Sequence, residues 1–294
     1  MFEFDIIQSD QGNSLKLQHK QTELVALFVL DQGASLQSLK LHGKQVIKLP
    51  HNWSYTDCYA SAILFPFANR VNKGAYDFDG KTYQLDRNEK TTGHAIHGLL
   101  ADKCLDLTKS KMGPDSALLT FEFESKNLHP GFPFDFKFTL SYLFGLNSLR
   151  VSFGVLNNGD KSFPCSLGWH PYFNMDYRDK QTFGFQYFGQ AEINDTGITQ
   201  KMHMHQAKSA FNWDAIVDDC FLLNDEVVQW RLQGFDFQLK SSGLDYLQVF
   251  SVPEKDFIAI EPVSAPSDSF NNGIGLKALE SKASFNSFCE LSWA

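Results

Sequence analysis

Two residues in this chain set a reactive group on stiff backbone directly ahead of a proline: His170 in Trp169-His170-Pro171 and Glu261 in Ile260-Glu261-Pro262. A residue before proline is pushed out of the helical region into extended backbone, so each group stands on a fixed stem. An imidazole and a carboxylate presented this way suit proton transfer, one as acid and the other as base. Glu261 is the costlier of the two. It runs on from Phe257-Ile258-Ala259-Ile260, a short strand pattern apolar on both faces. A buried carboxylate there needs a partner, solvent or catalytic work. We read it as a candidate base. Taken alone, each residue also fits a structural role, His170 as a satisfied histidine among Trp169, Tyr172 and Phe173.

Further candidates are spread along the chain. His97 precedes Gly98, which allows either close approach of backbone to a ligand or a sharp turn. Asn69 and Arg70 end the apolar run Ala60 to Ala68; they fit a fork for sugar hydroxyls or a structural ion pair. Asp218 or its neighbour Asp219 can accept from hydroxyls or cap a turn. His203-Met204-His205 lacks a third ligand at metal-site spacing and reads as surface. No phosphate loop, dinucleotide fingerprint, zinc-protease helix or serine elbow occurs. The set points to acid/base chemistry on a polyhydroxylated ligand without metal or cofactor.

Strands must position these groups. Phe132, Phe134, Phe136, Phe138, Leu140, Tyr142 and Phe144 alternate with mostly polar residues, a period of two that predicts one long half-buried strand. Leu119 to Phe123 and Leu149 to Val155 flank it as partners in a meander, and Asp79-Gly80 predicts a tight hairpin. Strand patterns also cover residues 2–50, Phe235 to Leu239, Leu244 to Val252 and Ser284 to Trp293. Residues 44–60 and 174–215 read as irregular, the natural source of pocket loops. The 28 phenylalanines favour rings packed on pleated surfaces. The expected architecture is all-β, a large antiparallel sandwich with few short helices, forming a single domain over residues 1–294.

A net charge of −8 and a sequence pI near 5.6 argue against a nucleic-acid surface. The five cysteines are odd in number and free of CxxC, which predicts reduced, mostly buried thiols rather than disulfides or a zinc site. The N-terminus lacks a basic stretch followed by an apolar run, and no stretch reaches the length of a membrane span. A cytoplasmic protein is expected. Oligomeric state has no sequence signal.

Asn69-Arg70-Val71, Phe78-Asp79-Gly80 with Tyr83 and Leu85, His97-Gly98, Trp169-His170-Pro171-Tyr172-Phe173, Asp218 with Phe221, and Glu261-Pro262 followed by Pro266, Phe270 and Asn271 together resemble the aldose 1-epimerase (mutarotase) family, in family order from about residue 60 to 272. The resemblance implies a β-supersandwich that inverts the anomeric carbon of a hexose. It implies Glu261 as the base taking the proton of the anomeric hydroxyl and His170 as the acid protonating the ring oxygen. His97 would bond near that oxygen, and Arg70, Asn69 and Asp218 would fix the other hydroxyls. Two other activities share the fold. A hexose-6-phosphate 1-epimerase would recruit cations such as Arg70, Lys73 and Arg87, and a non-catalytic sugar-binding module would have no use for both His170 and Glu261.

Overall fold

The structure is a computed structural model, and it describes residues 1–9, 12–223 and 227–294. Two large antiparallel sheets dominate it, one of 13 strands and one of 7. The larger sheet begins with five strands between Phe2 and Lys48. It then jumps to Tyr172–Phe173, Ile258–Val263, Tyr246–Ser251, Val217–Leu222, Gln186–Ile193 and Thr199–Lys208 in that spatial order. The smaller holds the meander Asp106–Met112, Ser116–Ser125, Phe136–Gly145 and Ser148–Asn157, extended by Ser284–Trp293, Phe235–Ser242 and Val228–Leu232. Helix among the described residues comes in short turns, with four-residue α-helices at Tyr55–Cys58, Tyr177–Lys180 and Ser269–Asn272. None is long and apolar enough to cross a membrane.

Phenylalanine does the packing between the sheets. Phe28 from the large sheet meets Tyr142 of the small one edge-on at 4.8 Å, and Phe65 meets Phe136 at 4.9 Å. Each such pair adds roughly 0.5–1.5 kcal/mol beyond the area it buries. The predicted hairpin forms between Ala75–Phe78 and Lys81–Gln84, with Asp79 and Gly80 both at positive φ (50° and 69°), as the tight two-residue turn demands.

Two expectations need correction. The alternating phenylalanine strand starts at Phe136, not Phe132. Phe132 and Phe134 are buried in the core, but Pro130 and Pro133 remove ladder donors, and a tight bridge between His129 and Phe132 takes the place of strand. Much of 174–215 is regular: Gln186–Ile193 and Thr199–Lys208 form an antiparallel hairpin. Thr199–Lys208 is an edge strand mostly exposed on both faces, so its sequence lacks the alternation that reveals half-buried strands. Lys44–Lys48 is likewise a strand. His203 and His205 are exposed on this hairpin, and His203 pairs with Glu192.

Candidate functional site

The segment 168–173 lies antiparallel to 258–263 in one continuous register, Gly168 opposite Val263 and Tyr172 opposite Ala259. Midway between those pairs, His170 faces Glu261. Opposed residues share a sheet face, and the same face carries Gln248, opposite Glu261 on the next strand, and Cys220 beyond it. Two residues from Cys220 stands Asp218, again on that face. Asp219 points the other way, with Phe221 of the core, and accepts from Gln190. The reverse face of the same strands carries Ile258, Ile260, Leu247 and Val249, packed in the main core. Period-two alternation thus separates chemistry from packing within six residues of strand.

Arg70 and His97 arrive by another route. Arg70–Val71 pairs with Ala95–Ile96, with Arg70 opposite Ile96, and the backbone N–H of His97 donates to the Asn69 carbonyl. Asn69 and His97 both adopt positive φ (55° and 63°), which turns their side chains out of the strands. Gly98 follows with φ 75°, its α-carbon pressed against the Phe65 backbone; a Cβ there would lie 2.3 Å from the Phe65 carbonyl oxygen. No other residue fits that approach.

These elements enclose a cavity of about 440 Å³ lined by Asn69, Arg70, His97, His170, Asp218 and Glu261, with Trp53, Tyr59, Tyr172, Phe250 and Glu89 among its other walls. All six residues singled out from the sequence therefore meet in one place. Lys73 and Arg87, weighed as phosphate ligands, do not line it; the Lys73 ammonium bonds the Thr92 carbonyl, and Arg87 bonds the carbonyl of Lys73. Trp169 and Phe173 are buried in the core, whereas Tyr172 lies parallel to the His170 ring at 5.0 Å and so orients it.

His170 Nε2 lies 3.4 Å from Glu261 Oε1, with only 5% and 3% of the two side chains exposed. The far atoms, His170 Nδ1 and Glu261 Oε2, are buried without a hydrogen-bond partner among the described residues, as is His97 Nδ1. Burial lifts the Glu261 carboxyl well above the usual carboxylate range; nearby Asp218 adds to this and Arg70 opposes it. The same desolvation pushes the His170 imidazole down to about 3. His97 is also held well below its ordinary value by burial, then by His170, 4.8 Å away ring to ring, and by Arg70. These shifts place the proton of the pair on Glu261 and leave His170 neutral at rest. Moving that proton to His170 gives the ionised arrangement, in which a carboxylate that binds protons avidly sits beside an imidazolium that releases them readily, a strong base next to a strong acid. Cys58 also lines the cavity, but burial pushes its thiol up to about 12, so it stays protonated and is a poor nucleophile.

Two residues that hold the site's polar groups in place, Gln248 behind the wall and Glu89 on it, carry no sequence signal. Gln248 donates to Asp218 Oδ1 at 2.5 Å. Glu89, in the polar stretch Asn88-Glu89-Lys90, grips the Arg70 guanidinium: Nε lies 3.0 and 3.1 Å from its two oxygens and Nη2 lies 2.9 Å from Oε1. Nothing in a run of polar residues distinguishes such a glutamate from a solvated one.

The fold is that of the galactose mutarotase-like proteins. A solved galactose mutarotase-like protein from Clostridium acetobutylicum superposes with a TM-score of 0.83 at 19% identity, covering 100% of this chain and 98% of its own. A galactose 1-epimerase from Lactobacillus acidophilus gives 0.77 at 14% identity, covering 100% and 98%. The protein named Uncharacterized protein YihR of Escherichia coli (strain K12) is 28% identical over 271 residues, 86% of this chain and 85% of that one. The sequence profile of the aldose 1-epimerase family matches residues 14–292, and the chain belongs to that family.

Proposed function

We propose that this protein is an active aldose 1-epimerase, interconverting the α and β anomers of a hexose through Glu261 and His170. The observation that carries the reading is the opposed pair itself, 3.4 Å apart on a cavity wall, with the far atoms of both groups buried and unpartnered among the described residues. A purely structural ion pair would ordinarily satisfy those atoms, so their lack of partners argues against that role.

The pair holds one proton between two groups, which is what the reaction consumes and returns. In the ionised arrangement Glu261 takes the proton of the C1 hydroxyl. Its electron pair forms the aldehyde as the bond from C1 to the ring oxygen breaks, and the imidazolium of His170 protonates that oxygen. Rotation about C1–C2 exposes the other carbonyl face. On closure the ring hydroxyl returns its proton to His170 and attacks C1, and the new C1 oxygen takes the proton back from Glu261. Two opposed proton transfers complete the cycle without a redox step. His97, Arg70, Asn69 and Asp218 serve as hydroxyl partners that hold the sugar while C1 turns over. The five free cysteines fit a reducing compartment such as the cytoplasm.

Polarimetry with freshly dissolved α-D-glucose and α-D-galactose tests the reading. Equilibration should accelerate with wild-type protein and fall by about 10²–10⁴-fold in Glu261→Gln. Full activity in folded Glu261→Gln removes Glu261 from the role of base. Sugar binding without turnover by the wild type makes the protein a sugar-binding module instead.

A further inference from the structure

We propose that Glu89 is a specificity-determining residue: by occupying the guanidinium of Arg70 it makes the cavity select uncharged sugars and turn away phosphorylated ones. The proposal rests on the aldose reading above and names its substrate class.

An arginine at the wall of a sugar pocket is the natural two-pronged dock for a phosphate. Here that fork is already filled. Glu89 takes Nε and Nη2 of Arg70, and the hydroxyl of Thr92 in turn donates to the Glu89 carboxylate. The remaining nitrogen, Nη1, faces Asn69 Oδ1 at 3.4 Å and Asp218 Oδ2 at 3.6 Å, which leaves it able to serve a hydroxyl but not a dianion. Both partners are mostly buried, 16% and 14% exposed, so solvent does little to loosen the pair.

The Gly197 backbone also closes one side of the guanidinium. Gly197, at φ 77°, lies so close that a Cβ would fall 2.4 Å from Nη1 and 2.8 Å from the guanidinium carbon. Around this fixed pair the charge balance is acidic without counting Glu261: Asp57, Glu89 and Asp218 line the cavity against Arg70 and the exposed Lys90. A neutral hexose meets acceptors for its hydroxyls. A sugar phosphate meets carboxylates and a neutralised arginine.

The test is calorimetric titration of D-glucose and D-glucose 6-phosphate into the wild type, Glu89→Gln and Glu89→Ala, with thermal unfolding run on each. The wild type should favour the free sugar by about tenfold or more, and both variants should shift the affinity ratio toward the phosphate by a similar factor. Inorganic phosphate should compete with glucose in the variants only. An unchanged ratio in folded variants overturns the proposal, as does a wild type that prefers the phosphate. Should the variants not fold, a salt series on the wild type decides. Repulsion predicts that glucose 6-phosphate binding strengthens with ionic strength, and weakening overturns the proposal. Polarimetry on the same samples separates the two claims: selective binding without anomerisation rejects the epimerase and leaves the selectivity standing, whereas binding of neither sugar rejects both.

Discussion

His170 stands directly opposite Glu261 across an antiparallel strand pair, in register between Gly168 opposite Val263 and Tyr172 opposite Ala259, with Nε2 and Oε1 3.4 Å apart. The prolines that follow each residue fall within this same pairing, and the N–H of Ile260 bonds the carbonyl of Pro171. Two pre-proline signals that look independent along the chain are thus one construction, an acid and a base on facing extended strands.

Groups that act as a unit lose function as a unit. His170→Asn and Glu261→Gln should each slow anomer equilibration by about 10²-fold or more, and the double variant should be little slower than the worse single one. Rate losses that multiply across the double variant would show the two acting separately. Single-turnover polarimetry on the four proteins provides the measurement.

The depressed His170 imidazole has a stability consequence with a definite sign. Folded, it titrates near 3, and unfolded near 6.5. Its contribution is therefore fully present above about pH 6.5 and is lost as pH falls toward the folded value, at up to about 1.4 kcal/mol per pH unit. Wild type relative to His170→Asn should lose ground as urea melts are moved from about pH 7.5 to about pH 5. The raised Glu261 carboxyl acts in the opposite sense, its contribution being lost as pH rises through its folded value. A His170→Asn difference that is flat with pH would show that the imidazole is not held neutral.

Asp218 and Asp219 are adjacent, and they should behave as strangers. Asp218 is on the cavity wall, held by Gln248 and facing Arg70. Asp219 lies on the reverse face beside Gln190. Asp218→Asn should raise KM about tenfold or more, the scale of one hydrogen bond to a charged group, while Asp219→Asn leaves KM within twofold. Initial rates against sugar concentration decide, and the reverse ranking would displace Asp218 from the site.

Gly98→Ala places a methyl group 2.3 Å from the Phe65 carbonyl oxygen in a backbone region that alanine avoids. The backbone must move, at a cost of roughly 1–3 kcal/mol in urea unfolding, and His97 must move with it. A variant as stable and as active as wild type would show that this close approach is dispensable.

Much of the fold is legible in the linear chain because strands buried on one face alternate visibly. The meander and the Asp79-Gly80 hairpin follow from that rule. It fails where its physical cause is missing: Thr199–Lys208 is exposed on both faces, and Phe132 keeps the alternation but is denied the ladder by Pro130 and Pro133. The same rule, applied within Val217–Leu222, favours Asp218 over Asp219, since Asp219 shares its face with Phe221.

Sequence alone determined which groups stand on rigid backbone, His170 and Glu261 before prolines, and marked His97 by the permissive glycine after it. Those constraints are local, acting through one residue's dihedral angles on the next. Only the tertiary structure decided that the two groups face each other and that Glu89, 19 residues from Arg70, fills its guanidinium. Register, burial and ion pairing depend on which distant strands come together, and those partners are chosen by the packing of the whole core.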